Sequence, residues 1–331
     1  MTRRGLILFA ALGIAWGIPY LFIKVAVGEL EPEMVVLGRA ALAALLLMPL
    51  AFFRREVAPV LRRWKPMLAY TVVEIIIPWY FLSSAEQRLP SSTAGLLLAT
   101  VPLVGVAIAF IMGRPERLTR LNWLGIVFGM LGVAALVGLD VAGSDLVAVG
   151  QVGIVVVGYA LGPAILARWM SDLPGVGVVA VSLAATAVVY VPFVLFTGAW
   201  PTAWPSSSVV WSIIILAVVC SALAFLLMVA LVSEIGPVKA TAITYVNPAV
   251  AIIAGVLILG ERVTVWTIVG FGLVLLGSYL VTRRRRHLVA VATEGPEAAC
   301  AEELAPGSSG EAAGVAAANP EAGSVPADRH P

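Results

Sequence analysis

Charge is scarce in this chain. Lys, Arg, Asp and Glu make up 12% of its 331 residues against 61% hydrophobic residues, and the mean hydropathy is +1.02. A soluble domain carries roughly one quarter charged residues, so that class is excluded and the chain belongs in a bilayer. Histidine is almost missing: His287 and His330 both follow the last apolar run, which leaves the apolar part without the commonest general base. The two cysteines, Cys220 inside an apolar run and Cys300 near the C-terminus, form neither a metal spacing nor a plausible disulfide pair. No Gly-x-x-x-x-Gly-Lys loop is present, which argues against ATP-driven transport by this chain alone. No run alternates with period two, so a membrane barrel is excluded as well.

What is present is a series of apolar runs long enough to span, at about 20 residues each. They read Gly5 to Val27, Met34 to Phe53, Met67 to Ser84, Ser91 to Gly113, Asn122 to Leu139, Gly150 to Met170, Val176 to Phe196, Val209 to Ser233, Val238 to Gly260 and Val265 to Val281. The expectation is an all-α integral membrane protein of ten transmembrane helices. The first run is too long for a signal-peptide core and lacks a small-x-small cleavage site, so it counts as a span.

The chain also repeats itself. Ala94-Gly-Leu-Leu-Leu-Ala-Thr-Val-Pro102, followed by Glu116-Arg-Leu-Thr119, Gly125 and Gly132, returns as Ala240-Thr-Ala-Ile-Thr-Tyr-Val-Asn-Pro248, Glu261-Arg-Val-Thr264, Gly270 and Gly277. The offset is about 146 residues before the Glu-Arg pair and about 145 after it, the mark of a duplicated unit. The units are residues 5–139 and 150–282, and 287–331, rich in Ala, Gly, Pro, Ser and Glu without aromatics, reads as a disordered cytoplasmic tail. Basic residues gather on one set of loops: Arg3, Arg4, Arg54, Arg55, Arg62, Arg63, Lys65, Arg114, Arg117, Arg120, Arg168, Lys239 and Arg283 to Arg286. The opposite loops hold only Arg88 and Arg262, with acidic turns such as Glu29 to Glu33. The positive-inside rule then puts both termini in the cytoplasm. Five spans per unit is an odd number, so the second unit is expected inverted relative to the first, an arrangement common among secondary transporters.

Trp16-Gly17 with Lys24 at the end of the first span, Arg39 ahead of an Ala/Leu-rich stretch, Pro102 and Pro248 in the fourth and ninth spans, and Leu259-Gly-Glu-Arg262 before the tenth resemble the EamA family of the drug/metabolite transporter superfamily. The resemblance covers roughly residues 5 to 282. It implies two inverted five-helix halves and export of small metabolites, often amino acids or related compounds. This chain departs from the pattern in the first-unit Gly113-Arg-Pro-Glu-Arg117 and in the added prolines Pro19 and Pro78.

Glu74 is the foremost candidate site residue. It lies about seven residues into the third span, where a carboxylate is costly, and Pro78 removes the N–H that would bond its carbonyl. Acid and free carbonyl together suit a proton, a cation or a substrate ammonium, with Trp79 and Tyr80 near enough to contact an organic body. The competing reading is a neutral acid that serves packing alone. The aligned stretch of the second unit, Cys220-Ser-Ala222, has no acid. Tyr245, Asn247 and Pro248 form a second candidate, set against a plain helix kink; Pro102 frees a backbone carbonyl in the fourth span, and Tyr159 with Pro163 repeats the logic in the sixth. Trp16 and Tyr20 are candidate cavity aromatics. Lys24 and Arg39 are expected near the outer boundary, snorkelling or paired with Glu29, Glu31 or Glu33, with anion recognition as the alternative. Gly125, Gly129 and Gly132, with Gly270, Gly272 and Gly277, read as close-packing surfaces, a subunit interface among their uses.

The expected protein is therefore a multi-pass transporter of the cytoplasmic membrane, a secondary-active exporter working by alternating access, as monomer or homodimer. Its partners are a small-molecule substrate, a proton as candidate coupling ion, and membrane lipids, with no nucleic acid, cofactor or metal. A lipid flippase or passive channel of the same fold is the alternative. A membrane-embedded transferase is disfavoured because Glu74 has no second acid or histidine with which to form an acid/base pair.

Overall fold

In a membrane interior, a chain that cannot hydrogen-bond to water must satisfy its backbone internally, and helices do so within one segment. The computed structural model, which describes residues 2–111, 120–140, 145–236 and 240–282, is helical throughout, with no strand among the described residues. Eight helices are long and apolar enough to cross a membrane, and Leu121–Leu136 and Val265–Val281 are shorter apolar stretches. Leu45, Val188 and Leu257 on the outside are each at least 70% exposed, a surface suited to lipid and not to water. The Glu116 to Thr119 motif, Lys239, Arg283 to Arg286 and the tail 287–331 lie outside the described residues.

Prolines punctuate the first half. Helix α1 (Arg3–Gly17) stops at Ile18 and α2 (Pro19–Ala26) restarts on Pro19. After α3 (Pro32–Phe53) and the short α4 (Val57–Arg62), α5 (Trp64–Thr71) leads through a π turn, Val72–Ile76, into α6 (Ile77–Glu86). The fourth span is α7 (Ser91–Leu98) and α8 (Val101–Ile111), parted before Pro102, and α9 (Arg120–Asp140) is the fifth. The second half repeats this order: α10 (Leu146–Trp169), α11 (Gly175–Thr197), α12 (Ser207–Ala217), a π turn at Val218–Leu223 and α13 (Ala224–Ile235). A 3-10 turn, Thr241–Tyr245, precedes α14 (Asn247–Leu259), whose first turn holds Pro248, and α15 (Val265–Thr282) closes the fold. Pro49, Pro163 and Pro192 lie inside continuous helices. The expected break at Pro163 is therefore not there: the helix tolerates a missing N–H where its neighbours support it.

Matching helices of the two halves pack against each other in opposite directions. Gly125 of α9 meets Gly277 of α15, and Gly132 meets Gly270, so one number rises as the other falls. A Cβ on Gly125 or Gly132 would lie 2.7–2.8 Å from the facing backbone or side chains, which only glycine avoids. The same antiparallel order joins α7 to α14, with Gly95 on Ala251 and Ser91 beside Gly255. These glycine seams lie within the chain, so a subunit interface is not needed to explain them; Gly272 alone of the set faces open space. The largest core cluster draws Tyr20, Leu82 and Leu96 from the first half and Val155, Leu216 and Val274 from the second.

Carboxylates cross between the halves to cap helix starts, where backbone N–H groups lack partners. Glu261 accepts from Ser91 N at 2.7 Å and Ser92 N at 3.0 Å at the start of α7. Glu56 accepts from Gly177 N at 2.8 Å in the first turn of α11, and Glu29 from Ser206 N at 2.8 Å ahead of α12. The Ser206 hydrogen bond holds the Glu29 carboxyl below its ordinary range. Burial pushes the Glu261 carboxyl up, but the donors at Ser92 and Ser91 outweigh it and leave the group below its ordinary range.

Two outcomes follow for thermal unfolding in detergent. Gly277→Val lowers the midpoint by the equivalent of about 1–3 kcal/mol of overpacking, whereas Gly272→Ala leaves it in place or raises it. Glu261→Gln lowers it by the equivalent of about 1 kcal/mol at neutral pH. Because the folded-state carboxyl of Glu261 titrates below its unfolded value, the wild-type advantage is full above the unfolded value and disappears as pH falls below about 4.

Candidate functional site

Two widened turns sit at matching places in the two halves. Pro78 cannot donate to the Glu74 carbonyl, and the helix answers by widening, the Ile77 N–H reaching back five residues to Val72 O. The second half has no proline there. Instead Ser221 Oγ donates to Leu216 O at 2.9 Å, the carbonyl five residues back, and the π turn Val218–Leu223 forms around that bond. Single π turns inside α-helices are frequent at functional sites, and aligning the repeats places Glu74 opposite Cys220 to Ala222, the two π turns themselves.

Arg39 joins these two turns. It is the eighth residue of α3, about 10 Å below the helix start at 1.5 Å per residue, and only 8% exposed. Its Nε donates to Ser221 Oγ at 2.9 Å, and its guanidinium carbon lies 3.7 Å from the centre of the Trp79 ring. Among the described residues its two terminal nitrogens have no hydrogen-bond partner, and no acid pairs with it. The expectation of a snorkelling or Glu-paired Arg39 is thus overturned. The stacked face and the Ser221 bond fix the guanidinium, which leaves the terminal N–H fork to present to an anion.

Glu74 lies within the first of these turns. Gly162 of α10 supplies the space for its carboxyl, since a Cβ there would collide with Glu74 Oε2. That oxygen is buried and has no hydrogen-bond partner among the described residues. Tyr159, one turn from Gly162 on α10, lies within electrostatic reach of both Arg39 and Glu74. Asn247 begins α14 with its Oδ1 buried and likewise without a hydrogen-bond partner among the described residues. A buried polar atom without a partner costs free energy, and in a protein that takes up a polar ligand such atoms mark where the ligand supplies the missing bond.

Other candidates are occupied elsewhere. Trp16 packs edge-on against Phe225. Tyr80 makes edge-on contacts with Phe81 and Phe193. Tyr245 Oη donates to Ser278 O of α15 at 3.2 Å. At the Pro102 break, Thr100 Oγ1 donates to Leu97 O at 2.6 Å and Ser278 Oγ to Ala99 O at 2.9 Å, so α15 fills much of that gap. Lys24 does not pair with Glu29, Glu31 or Glu33; its Nζ donates to the carbonyls of Glu86 and Leu89 at 2.6 and 2.9 Å. At the basic end Arg63 grips Asp172 with two hydrogen bonds of 2.6 and 2.7 Å and donates to Trp169 O at 2.8 Å. Arg63 thereby holds the Asp172 carboxyl below its ordinary range. Sequence reasoning passed over Ser221 and undervalued Arg39; an arginine two turns inside an apolar helix, and a serine aligned with Glu74, were the available signals.

The chain matches the model of the EamA-like transporter family twice, over residues 3–138 and 148–283. It is 29% identical over 282 residues to an uncharacterized inner membrane transporter, YedA, of Escherichia coli strain K12, covering 82% of this chain and 88% of that protein. An uncharacterized transporter of Archaeoglobus fulgidus is 24% identical over 279 residues, covering 82% of this chain and 95% of its own length. A solved crystal structure superposes with a TM-score of 0.62 at 18% identity, over 87% of this chain and the whole of that one, a likeness of fold. With nearly all of both halves matched, the chain belongs to the EamA-like transporter family.

Proposed function

We propose that this chain is a secondary-active transporter that exports small organic metabolites, amino acids or related compounds, by alternating access. In this reading ten spans form two inverted halves, and the basic end, with both termini, faces the cytoplasm. The antiparallel pairing of α9 with α15 and of α7 with α14 supports the inversion. One observation supports the reading of the site: the terminal nitrogens of Arg39 and Oε2 of Glu74 are both without a hydrogen-bond partner among the described residues, and both groups lie within electrostatic reach of Tyr159. A molecule with a carboxylate for Arg39 and an ammonium for Glu74 completes both, and Asn247 and Trp79 add an amide and an aromatic edge to the same space. Pro78 and Pro248 hold the backbone irregularities beside it, with Pro102 at the margin. Contacts hold both ends: Lys24 and Glu261 at the acidic end, Arg63 and Asp172 at the basic end. Alternating access requires these two sets to break in turn.

Reconstituted vesicles preloaded with unlabelled amino acids and given a radiolabelled one test this directly. The wild type accumulates label by exchange. Arg39→Gln cuts the rate by about 10-fold to 100-fold, the worth of a charge-assisted hydrogen bond of about 1.5–3 kcal/mol. Glu74→Gln lowers the rate or removes its pH dependence. Exchange unchanged in both variants overturns the site, and label that equilibrates without exchange indicates a channel.

A further inference from the structure

Glu86 ends α6, two residues beyond the point where hydropathy ends the third span. It is completely buried, and neither carboxyl oxygen has a hydrogen-bond partner among the described residues. Lys24 reaches this residue yet avoids its carboxyl, donating instead to the backbone carbonyls of Glu86 and Leu89. Beside them Ser91 Oγ is buried and also unpartnered, while the Ser91 and Ser92 N–H groups are taken by Glu261. The charged and titratable groups that face Glu86 are Lys24 and Tyr20 from α2, Arg39 from α3, Tyr159 from α10 and Glu261 ahead of α15. Arg39 is already fixed on Ser221 and Trp79, and Glu261 carries a charge of the same sign as an ionised Glu86.

A carboxylate buried here without a donor is strongly disfavoured, whereas a carboxylic acid leaves only an unmade hydrogen bond. Arg39 and Lys24 are the cations that face it. The Lys24 ammonium already contacts Glu86 but, seated on the two carbonyls, makes no bond to the carboxyl, so turning toward a carboxylate draws it off the carbonyls that tie α2 to the α6–α7 turn. Holding this end shut and charging Glu86 therefore compete for one ammonium.

We propose that Glu86 is a proton-binding site that governs the outer gate. The gate is shut with Glu86 as the carboxylic acid and Lys24 on the two carbonyls. It opens when the acid O–H bond breaks, the proton passes to water at the outer mouth as hydronium, and the Glu86 carboxylate takes the Lys24 N–H donors. The word "outer" rests on the orientation proposed above; the coupling of protonation to closure does not depend on the transported solute.

The test therefore needs no substrate. Spin labels at Glu31→Cys and Arg88→Cys, both exposed on the two sides of the Lys24 contact, are placed in a Cys220→Ala, Cys300→Ala background in lipid nanodiscs. Their separation is measured at about pH 5 and about pH 10, which brackets the raised range, up to about 9, in which a buried carboxyl titrates. A single short distance at low pH, joined by a longer one at high pH, is expected, with Glu86→Gln holding the short distance at both. A distance insensitive to pH in the wild type, or a response that survives Glu86→Gln, overturns the proposal. If Glu86→Gln does not fold, Glu86→Asp decides: its shorter acid shifts the midpoint pH of the response, and an unmoved midpoint overturns the proposal. A moving gate in a protein that exchanges no solute would count against the transport reading alone.

Discussion

A guanidinium held inside an apolar bundle organises this molecule. Arg39 leaves α3, lies on the ring of Trp79 beside one π turn and bonds Ser221 within the other. A charge in a membrane interior is tolerated only where polar or aromatic groups compensate for lost water. Satisfying Arg39 therefore requires the third helix of each half to be close to α3 at one depth. The π turns are the local adjustment that makes this possible: Pro78 forces one, and the Ser221 hydroxyl stabilises the other. What the arrangement leaves over, the fork of Arg39 and the unpartnered oxygens of Glu74 and Asn247, is the binding capacity we propose for the site.

Around that centre the halves are tied by contacts of two strengths. The glycine seam of α9 and α15 is backbone against backbone, too close for any side chain, and forms a rigid buttress. The ends are held by exchangeable polar contacts: Lys24 on two carbonyls, Glu261 on the first N–H groups of α7, Arg63 on Asp172. Charged contacts near water can be replaced by hydration at small cost, which close-packed glycines cannot. In the alternating-access reading proposed above, movement belongs to the ends and the seam stays intact. Glu86 adds to one end a group whose protonation decides which partner Lys24 takes.

Much of this was legible in the sequence. Apolar length located the helical stretches, the repeat aligned the two π turns, and the breaks at Pro78, Pro102 and Pro248 occur where the missing N–H demands them. Pro163 shows the limit of that logic, because a neighbouring helix can support a proline that sequence alone marks as a break. Arg39 was placed at the boundary for a similar reason: in a helix apolar all round, periodicity assigns no inward face, so the direction of a long side chain is set by neighbours far away in sequence. Ser221 is 182 positions from Arg39. Glu86 falls two residues past the apolar run, at a helix end where boundaries are least legible, and the Glu261 carboxylate that caps α7 lies 170 positions from its donor, the Ser91 N–H.

The central claim is that Arg39 reads a carboxylate on the transported molecule. Exchange in vesicles should be competed by an amino acid and much less by the amine that lacks its carboxyl group, in the wild type. In Arg39→Gln the two competitors should become nearly equal, because the variant and the missing carboxylate remove the same interaction. If the amino acid keeps its full advantage over the amine in Arg39→Gln, the carboxylate is bound elsewhere and the account of the site is wrong.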